Sequence, residues 1–155
     1  MRAALDTNVL VYAEGLDDLD RQARILRMLG DAPDGTLVLP VQVVGELVNV
    51  LIRKGGFEPA EARRIAYLWI GRTLSAPTEP STIALAMDLI VDHHFSIWDA
   101  VIIAAAAEAG CDLLLSEDMH PGFRWRGVTI VNPFAEPMSP LLDTFLDQSV
   151  ERGRD

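Results

Sequence analysis

The chain has 155 residues, of which 13 are lysine or arginine and 23 are aspartate or glutamate, giving a formal net charge of −10 at pH 7. This length fits one domain of ordinary size. Half of the residues are hydrophobic and 23% are charged, which excludes a chain that is mainly disordered. The negative charge opposes general attraction to a phosphate backbone, so nucleic acid would have to bind through a local basic patch or bound cations.

The lengths of the apolar runs indicate the cellular compartment. Charged residues break every such run well short of the roughly 18 residues needed to span a bilayer, and we expect no secretory leader. A soluble cytoplasmic protein with no membrane partner is therefore expected. Cys111 is the only cysteine, which excludes an internal disulfide and predicts that the thiol is a buried small hydrophobic group.

Short apolar runs that end in polar or turn-forming residues predict strands, and longer segments at helical spacing predict helices. In chain order the predicted elements are a strand at Ala3–Leu5, a helix at 19–29, a strand at 36–39, helices at Val41–Arg53, Pro59–Arg72, 81–93 and 97–109, and strands at Leu113–Leu115 and Val128–Val131. This alternation indicates an α/β layer sandwich around a mainly parallel sheet. In such sheets, ligands bind beyond the carboxyl ends of the strands.

An amphipathic helix is predicted after the last strand, at 139–150. Its apolar residues are Leu141, Leu142, Phe145, Leu146 and Val150. We therefore divide the chain into a domain over 1–134 and a helical tail over 135–155. The tail docks either on its own domain, which we favour, or on a second copy of the chain.

Two aspartates follow predicted strands, at the sheet edge where a parallel sheet presents its site. Asp6 comes directly after Ala3–Leu5, and Asp118 follows Leu113–Leu115. The alternative is structural, because aspartate is also favoured at helix N-caps and in turns.

Glu46 lies in a narrow polar stripe of an otherwise apolar helix. At about 100° per residue, Gln42, Glu46, Asn49 and Arg53 fall within roughly 60° of one another. The other residues of Val41–Arg53 are aliphatic apart from Gly45, so we expect most of the helix circumference to be buried. Glu46 then faces either a polar slot or solvent, where it could pair with Arg53.

Asp99 lies in the first turn of a helix whose remaining surface is almost entirely apolar, so this helix is predicted to pack centrally. Ser96 stands three residues earlier, an arrangement close to a capping box, and this alone could explain the aspartate.

All four acids could nevertheless reach one cleft. Clustered carboxylates repel one another and are driven toward protonation unless a cation neutralises them. Oxygen ligands favour Mg²⁺ or Mn²⁺, and no spacing of His93, His94 or His120 makes a zinc site.

Four short motifs, in their order along the chain, resemble the PIN-domain family. They are Leu5-Asp6-Thr7-Asn8-Val9-Leu10, the mid-helix Glu46, Trp98-Asp99-Ala100 before an alanine-rich helix, and Leu114-Leu115-Ser116-Glu117-Asp118. Within the family the chain looks most like VapC-type toxins of bacterial toxin–antitoxin pairs. The Ser-Glu-Asp-Met segment at 116–119 and Val131-Asn132-Pro133-Phe134 add to this likeness.

The resemblance implies a three-layer α/β/α sandwich around a short, mainly parallel sheet, with the PIN-like nuclease domain over 1–134. It implies an endoribonuclease that depends on Mg²⁺, or on Mn²⁺, and that is the toxin of a type II toxin–antitoxin pair in the cytoplasm. The implied partners are an RNA substrate, a cognate antitoxin protein and a second copy of the chain in a homodimer.

The catalytic residues that the resemblance implies are Asp6, Glu46, Asp99 and Asp118. All except Glu46 would hold the metal. Asn8 and Ser116 match the supporting polar positions, with serine in place of the usual threonine, and either hydroxyl can orient a carboxylate. Glu117 is expected to face solvent.

Basic residues that could contact RNA phosphates are concentrated in two places. Arg53 and Lys54, at the end of one helix, are the predicted substrate-binding residues, and Arg21, Arg24 and Arg27 form a stripe on another helix. For any one of them a solvated helix face is the alternative. Trp69, Trp98 and Trp125 are predicted to be packing or rim residues.

Two other classes of protein share part of this pattern. A haloacid-dehalogenase phosphatase needs a second aspartate where this chain has Asn8, which disfavours it. A phosphoreceiver domain, which is a binding module, needs a lysine near the last strands, but the only lysine is Lys54. A catalytically silent PIN-fold binding module is the remaining alternative.

Overall fold

The computed structural model describes residues 1–152, with side chains described as far as residue 148. The strands in this range are β1 (Ala3–Leu5), β2 (Leu37–Pro40), β3 (Leu74–Ala76), β4 (Leu113–Leu115), β5 (Arg124–Trp125) and β6 (Val128–Val131). The helices are α1 (Thr7–Ala13), α2 (Leu19–Asp31), α3 (Val41–Arg53), α4 (Pro59–Arg72), α5 (Pro80–His93), α6 (Ile97–Glu108) and α7 (Pro140–Arg152). Within residues 1–152, none of these helices combines the length and the apolar character needed to cross a membrane.

The strands form one sheet in the order β3-β2-β1-β4-β6-β5, and every neighbouring pair is parallel except β5 with β6. The two central strands, β1 and β4, are buried along their whole length. A strand that is covered on both faces needs apolar side chains on both, which is why Ala3–Leu5 and Leu113–Leu115 are continuous apolar runs. The predicted α/β fold around a mainly parallel sheet is confirmed.

The helices form the two outer layers. α1 contacts α2 and α3, α3 contacts α4, and α5 packs against α6, which also touches β2, β3 and β6. Right-handed crossovers place the connections from β1 to β3 on one face and the return from β3 to β4 on the other. Residues Ala100 to Ala106 of α6 are all buried, so the predicted central packing of this helix is also confirmed.

The chain changes direction across the sheet between β1 and β4. From β1 it builds outward through β2 to β3, and it then returns to the other side of β1 to form β4. Ligands in open α/β sheets bind in the crevice at such a switch point, outside the carboxyl ends of the strands. Residues that directly follow β1 and β4 therefore share one crevice.

One prediction about α3 was wrong. Val43, Leu47 and Leu51 are buried, but Val41 is 48% exposed and Ile52 is 37% exposed. The helix contacts α1, α4, α6 and β2, and Val44 and Val48 are half-buried against the core, while Val41 and Ile52 face outward. An aliphatic sequence shows which side chains are suited to burial, but the elements that pack against the helix determine which of them are buried.

Three short elements were missed by the pattern. α1 begins at Thr7, directly after Asp6, and its Val-Leu-Val core is β-branched and apolar like a strand. β3 has three residues at the edge of the sheet, two of them exposed. β5 pairs with β6 through a tight turn in which Arg126 and Gly127 have φ of 47° and 92°, a hairpin that usually carries asparagine or aspartate before the glycine.

The C-terminal helix α7 packs on the chain's own domain. Leu142 and Phe145 are buried in the core, and the helix contacts α2. The amino group of Met1 donates a hydrogen bond of 3.0 Å to Gln148 Oε1. The side chain of Val150, which was predicted to continue this face, lies outside the described residues.

Cys111 is buried, and burial raises the pKa of its thiol to about 12, as expected for an inert core cysteine.

Truncation of Phe145 should measure how strongly α7 holds the domain. Because the ring is fully buried, Phe145→Ala should lower the free energy of unfolding by about 3–5 kcal/mol. Tyr67→Ala is the matched control, since Tyr67 is 67% exposed on α4 and its loss should change stability by only about 0.5 kcal/mol. Urea denaturation measures both. Equal effects of the two substitutions would mean that α7 is not part of the folded core.

Candidate functional site at the carboxyl ends of β1 and β4

Asp6 is a buried carboxylate at the end of β1, with a relative exposure of 6%. It is the N-cap of α1, and its Oδ1 accepts a hydrogen bond of 2.7 Å from the Thr7 backbone N–H. Its Oδ2 accepts hydrogen bonds from Ser116 Oγ at 2.7 Å and from Asn8 Nδ2 at 3.0 Å. Asp6 is therefore an N-cap, as the structural alternative proposed, but only Oδ1 makes the cap. Oδ2 is held by the side chains of Asn8 and Ser116.

The electrostatic surroundings of Asp6 disfavour its charged form. The pKa of Asp6 is raised to about 6, chiefly by burial, with smaller contributions from the negative charges of Asp99 and Glu46, while the hydrogen bonds from Ser116 and Thr7 act to lower it. Asp99 and Glu46 are the two acids whose negative charge disfavours the ionised form of Asp6. A cation at this position would relieve the repulsion.

Asn8 joins Asp6 to Asp118. Its Nδ2 donates to Asp6 Oδ2 and also to Asp118 Oδ2, at 3.3 Å, while its Oδ1 accepts a hydrogen bond of 3.3 Å from the Glu117 backbone N–H. The two strand-end aspartates therefore share one amide nitrogen as their hydrogen-bond donor. Asp118 itself is exposed to solvent.

Ser116 is the buried partner of this pair, with no exposed surface. Its Oγ donates to Asp6 and accepts a hydrogen bond of 3.2 Å from the Met119 backbone N–H. The backbone N–H of Asp6 donates to the Leu115 carbonyl at 3.0 Å. The segment after β4 is thus tied to the end of β1 through both backbone and side chains.

Glu46 reaches the same region from α3. Its Oε2 accepts a hydrogen bond of 2.5 Å from Thr7 Oγ1, and its Oε1 accepts one of 2.9 Å from Gln42 Nε2. The alternative of an exposed Glu46 that pairs with Arg53 is wrong: the side chain is half-buried and is held by its own polar stripe and by α1. Thr7, which sequence reasoning treated only as part of the strand-end motif, is the link between Glu46 and Asp6.

Asp99 enters from the first turn of α6 and is half-buried. Its backbone N–H donates to Ser96 Oγ at 3.2 Å, so the predicted serine cap is confirmed. A carboxylate in the first turn is stabilised by the helix dipole. The cap explains the helix start, and the negative charge of Asp99 contributes to the raised pKa of Asp6.

A cavity of about 400 Å³ opens beside these residues. It is lined by Thr7, Asn8, Val11, Tyr12, Leu16, Asp17, Val50, Lys54 and Asp118. Lys54 therefore lines the same cavity as Asn8 and Asp118, whereas its predicted companion Arg53 is exposed on α3 and does not line the cavity.

The donor chemistry of the site fits a hard divalent cation, because carboxylate, amide and hydroxyl oxygens are the ligands that Mg²⁺ and Mn²⁺ prefer. As the side chains stand, however, no three histidine, cysteine, aspartate or glutamate residues in the described part of the chain converge closely enough to hold an ion. Their spacing is instead set by hydrogen bonds to Asn8, Thr7 and Gln42.

Glu117 does not face solvent as predicted. Its Oε2 accepts a hydrogen bond of 2.6 Å from the Tyr12 hydroxyl, and its Oε1 forms an ion pair with the Arg21 guanidinium. Tyr12 was missed as part of the site region, and Arg21, which was considered only as a contact for RNA phosphates, has Glu117 as its partner. The available signal was spacing, because Tyr12 follows Asn8 by one helical turn and so lies on the same face of α1.

The remaining basic stripe has other partners. Arg24 pairs with Glu136 and donates to the Ala135 carbonyl, and Arg24 and Arg27 line a separate cavity against α7. Neither arginine lines the cavity at the strand ends.

Histidines and tryptophans have packing or rim positions. His93 packs edge-on against Phe123, and His120 packs edge-on against Phe95. Trp69 is buried and donates to Glu14 at 2.7 Å, whereas Trp98, beside Asp99, is 56% exposed.

Replacement of Asp6 by asparagine should stabilise the protein, and the gain should depend on pH. The folded-state pKa of about 6 lies above the ordinary value of 3.8, so the folded protein binds the proton more tightly than the unfolded chain does. Asp6 consequently makes stability fall as pH rises from about 4 to about 6, after which the loss is complete. Asp6→Asn should gain up to about 3 kcal/mol at pH 8 and almost nothing at pH 3.5.

Urea denaturation in EDTA across this pH range measures the gain. Asp88→Asn is the control, because Asp88 is an exposed aspartate of α5 whose loss changes the net charge equally. A gain of the same size at both ends of the pH range, or one shared by the control, would rule out a buried charge as the cause.

Comparison with known proteins identifies the family to which this fold belongs. The family model of the PIN domain matches residues 3–123, which is well over half of the chain. No curated protein matches. Several solved structures share the fold at low sequence identity.

One of these is the sarcin-ricin loop cleaving toxin VapC20 of Mycobacterium tuberculosis, with a TM-score of 0.62 at 18% identity over 72% of this chain and 86% of that one. A toxin–antitoxin complex from Klebsiella pneumoniae gives 0.64 at 14% identity over 85% and 98%. FitAcB of Neisseria gonorrhoeae gives 0.62 at 19% identity over 85% and 98%. The solved structures share the fold, and the family match covers most of the sequence: this chain belongs to the PIN-domain family.

Proposed function

We propose that this chain is an endoribonuclease that depends on Mg²⁺ or Mn²⁺, hydrolyses RNA phosphodiester bonds and acts as the toxin of a type II toxin–antitoxin pair. One observation carries the proposal. The buried Asp6 carboxylate shares the Asn8 amide with Asp118, and Asp99 and Glu46 lie close enough to raise its pKa. Carboxylates are brought together in this way, at the switch point of a parallel sheet, when a cation or a proton is to be held there.

The proposed roles follow from the hydrogen bonds. Asp6, Asp99 and Asp118 would hold the ion, which when bound lowers the pKa of a water nucleophile and offsets charge on the phosphate. Asn8 and Ser116 orient the Asp6 carboxylate. Glu46, fixed by hydrogen bonds at both of its oxygens, is a fourth carboxylate in a constant orientation.

Substrate would enter through the cavity beside Asp118. An acidic chain needs a local positive group to hold a phosphate, and Lys54 supplies one on the cavity wall. Arg53, exposed next to it, would extend the contact along the RNA outside the cavity.

Partners are proposed from the relatives. The Klebsiella pneumoniae neighbour is described as a toxin–antitoxin complex, and we propose a cognate antitoxin for this chain, together with a homodimer and a cytoplasmic location. Apolar side chains exposed on α3 and α4, such as Ile52, Tyr67 and Ile70, are consistent with a protein surface that is covered in the cell.

Incubation of purified protein with a mixed RNA pool tests the activity. Cleavage should occur with Mg²⁺ or Mn²⁺ and stop with EDTA. Asp6→Asn and Asp99→Asn should each lower the rate by about 100-fold or more, since mutation of even an outer partner of a metal ligand costs about 10–100-fold.

Asp88→Asn is again the matched control and should cut at the wild-type rate, while circular dichroism shows that all variants are folded. Cleavage by Asp6→Asn at the wild-type rate would refute the assigned site. A folded wild-type protein that cuts no RNA under any of these ions would instead support the silent binding module.

A further inference from the structure

Glu117 is anchored at its side chain by groups from two helices. Its Oε2 accepts a hydrogen bond from the Tyr12 hydroxyl of α1, and its Oε1 forms an ion pair with the Arg21 guanidinium of α2. Only 20% of the Glu117 side chain is exposed, so solvent screens this pair less than an ordinary surface ion pair.

Arg21 is itself held from both sides. Its guanidinium carbon lies 5.2 Å from the centroid of the Tyr12 ring and 4.7 Å from that of Phe134, and the two rings meet edge-on at 5.1 Å. A planar guanidinium between aromatic rings has few other orientations. The position of Glu117 is therefore set by a rigid group.

The backbone of Glu117 reaches the site. Its N–H donates to Asn8 Oδ1, and this contact decides which end of the Asn8 amide faces the carboxylates. With Oδ1 occupied by an N–H donor, Nδ2 is directed at Asp6 and Asp118. A rotated amide would place its oxygen against two carboxylate oxygens and lose the hydrogen bonds with Asp6, Asp118 and the Glu117 N–H.

We infer that Arg21, acting through Glu117, is a positioning residue that fixes the orientation of the Asn8 amide and so the relative placement of Asp6 and Asp118. Arg21 does not line the cavity at the site, and its charge is already used by Glu117. The expected effect on kcat rests on the proposed function, whereas the expected effect on the orientation of the Asn8 amide does not.

The experiment compares Arg21→Met, Glu117→Gln and the double variant with wild type. Arg24→Met is a close control, because Arg24 lies one turn further along α2, is 36% exposed against 35% for Arg21, and also forms an ion pair, but with Glu136. The first readout is the side-chain amide signal of Asn8 in ¹H–¹⁵N spectra recorded in EDTA, assigned with Asn8→Asp. The second is the split between kcat and KM for RNA cleavage.

Both single variants should shift or broaden the Asn8 signal and lower kcat by about 10-fold with KM unchanged. The double variant should lose no more than the worse single one, because the two residues act in one chain of contacts. Arg24→Met should leave the Asn8 signal in place and change kcat by less than about twofold. Arg21→Lys, which keeps the charge, should move the signal back toward the wild-type position.

Three results would overturn the inference. They are an unchanged Asn8 signal in folded Arg21→Met, losses that multiply in the double variant, and a raised KM with normal kcat, which would make Arg21 a direct contact of the RNA. If the wild-type protein cuts no RNA, the proposed function fails, but the Asn8 signal still decides the inference.

Discussion

The hydrogen bond from the Ser116 hydroxyl to the Asp6 carboxylate joins the ends of the two central strands. Asp6 directly follows β1 and Ser116 directly follows β4, and both side chains are buried. A buried carboxylate is costly unless its oxygens are hydrogen-bonded, so the register of β1 against β4 and the charge of Asp6 depend on each other. The remaining groups of the site, Asn8, Asp118 and Glu117, are positioned from this pair.

The segment after β4 is held on both sides of the crevice. On one side Glu117 is fixed by α1 and α2. On the other, His120 and Phe123 pack against Phe95, which lies at the junction between α5 and the start of α6. The same short segment thus links the end of β1 to the first turn of α6, where Asp99 lies. Asp6, Glu46 and Asp118 are remote in sequence and are linked through hydrogen bonds to Thr7 and Asn8. The negative charges of Asp99 and Glu46 add to burial in raising the pKa of Asp6.

Most strands and helices could be predicted from the sequence, because the patterns that indicate them have direct physical causes. Continuous apolar runs at Ala3–Leu5 and Leu113–Leu115 arise from strands covered on both faces, and Val41–Arg53 and Pro59–Arg72 begin and end where the spacing predicted. Elements shorter than a full pattern, such as β3 and β5, could not be recognised in this way. Burial around α3 was overestimated, because an aliphatic face can be left for a partner as readily as for the core.

The candidate site was only partly readable. Asp6 and Asp118 could be placed because they follow strands, and Asp99 because it follows a serine cap. The partners of Glu117 could not be predicted, because a pair between Arg21 and Glu117 depends on where α2 packs relative to the segment after β4, which no local spacing encodes. The role of Asn8 as a bridge also depends on tertiary structure. Tertiary hydrogen bonds, unlike periodicity, leave little trace in one sequence.

The central claim is that the carboxylates at the ends of β1 and β4 hold one divalent ion together. Anomalous diffraction from crystals soaked in Mn²⁺ measures this directly. We expect an Mn²⁺ ion coordinated by the carboxylates of Asp6, Asp99 and Asp118, and its anomalous signal should be absent from Asp6→Asn crystals. Ordered Mn²⁺ that lies elsewhere, or a crevice that stays free of Mn²⁺ at millimolar concentration near pH 7.5, would contradict a shared metal site.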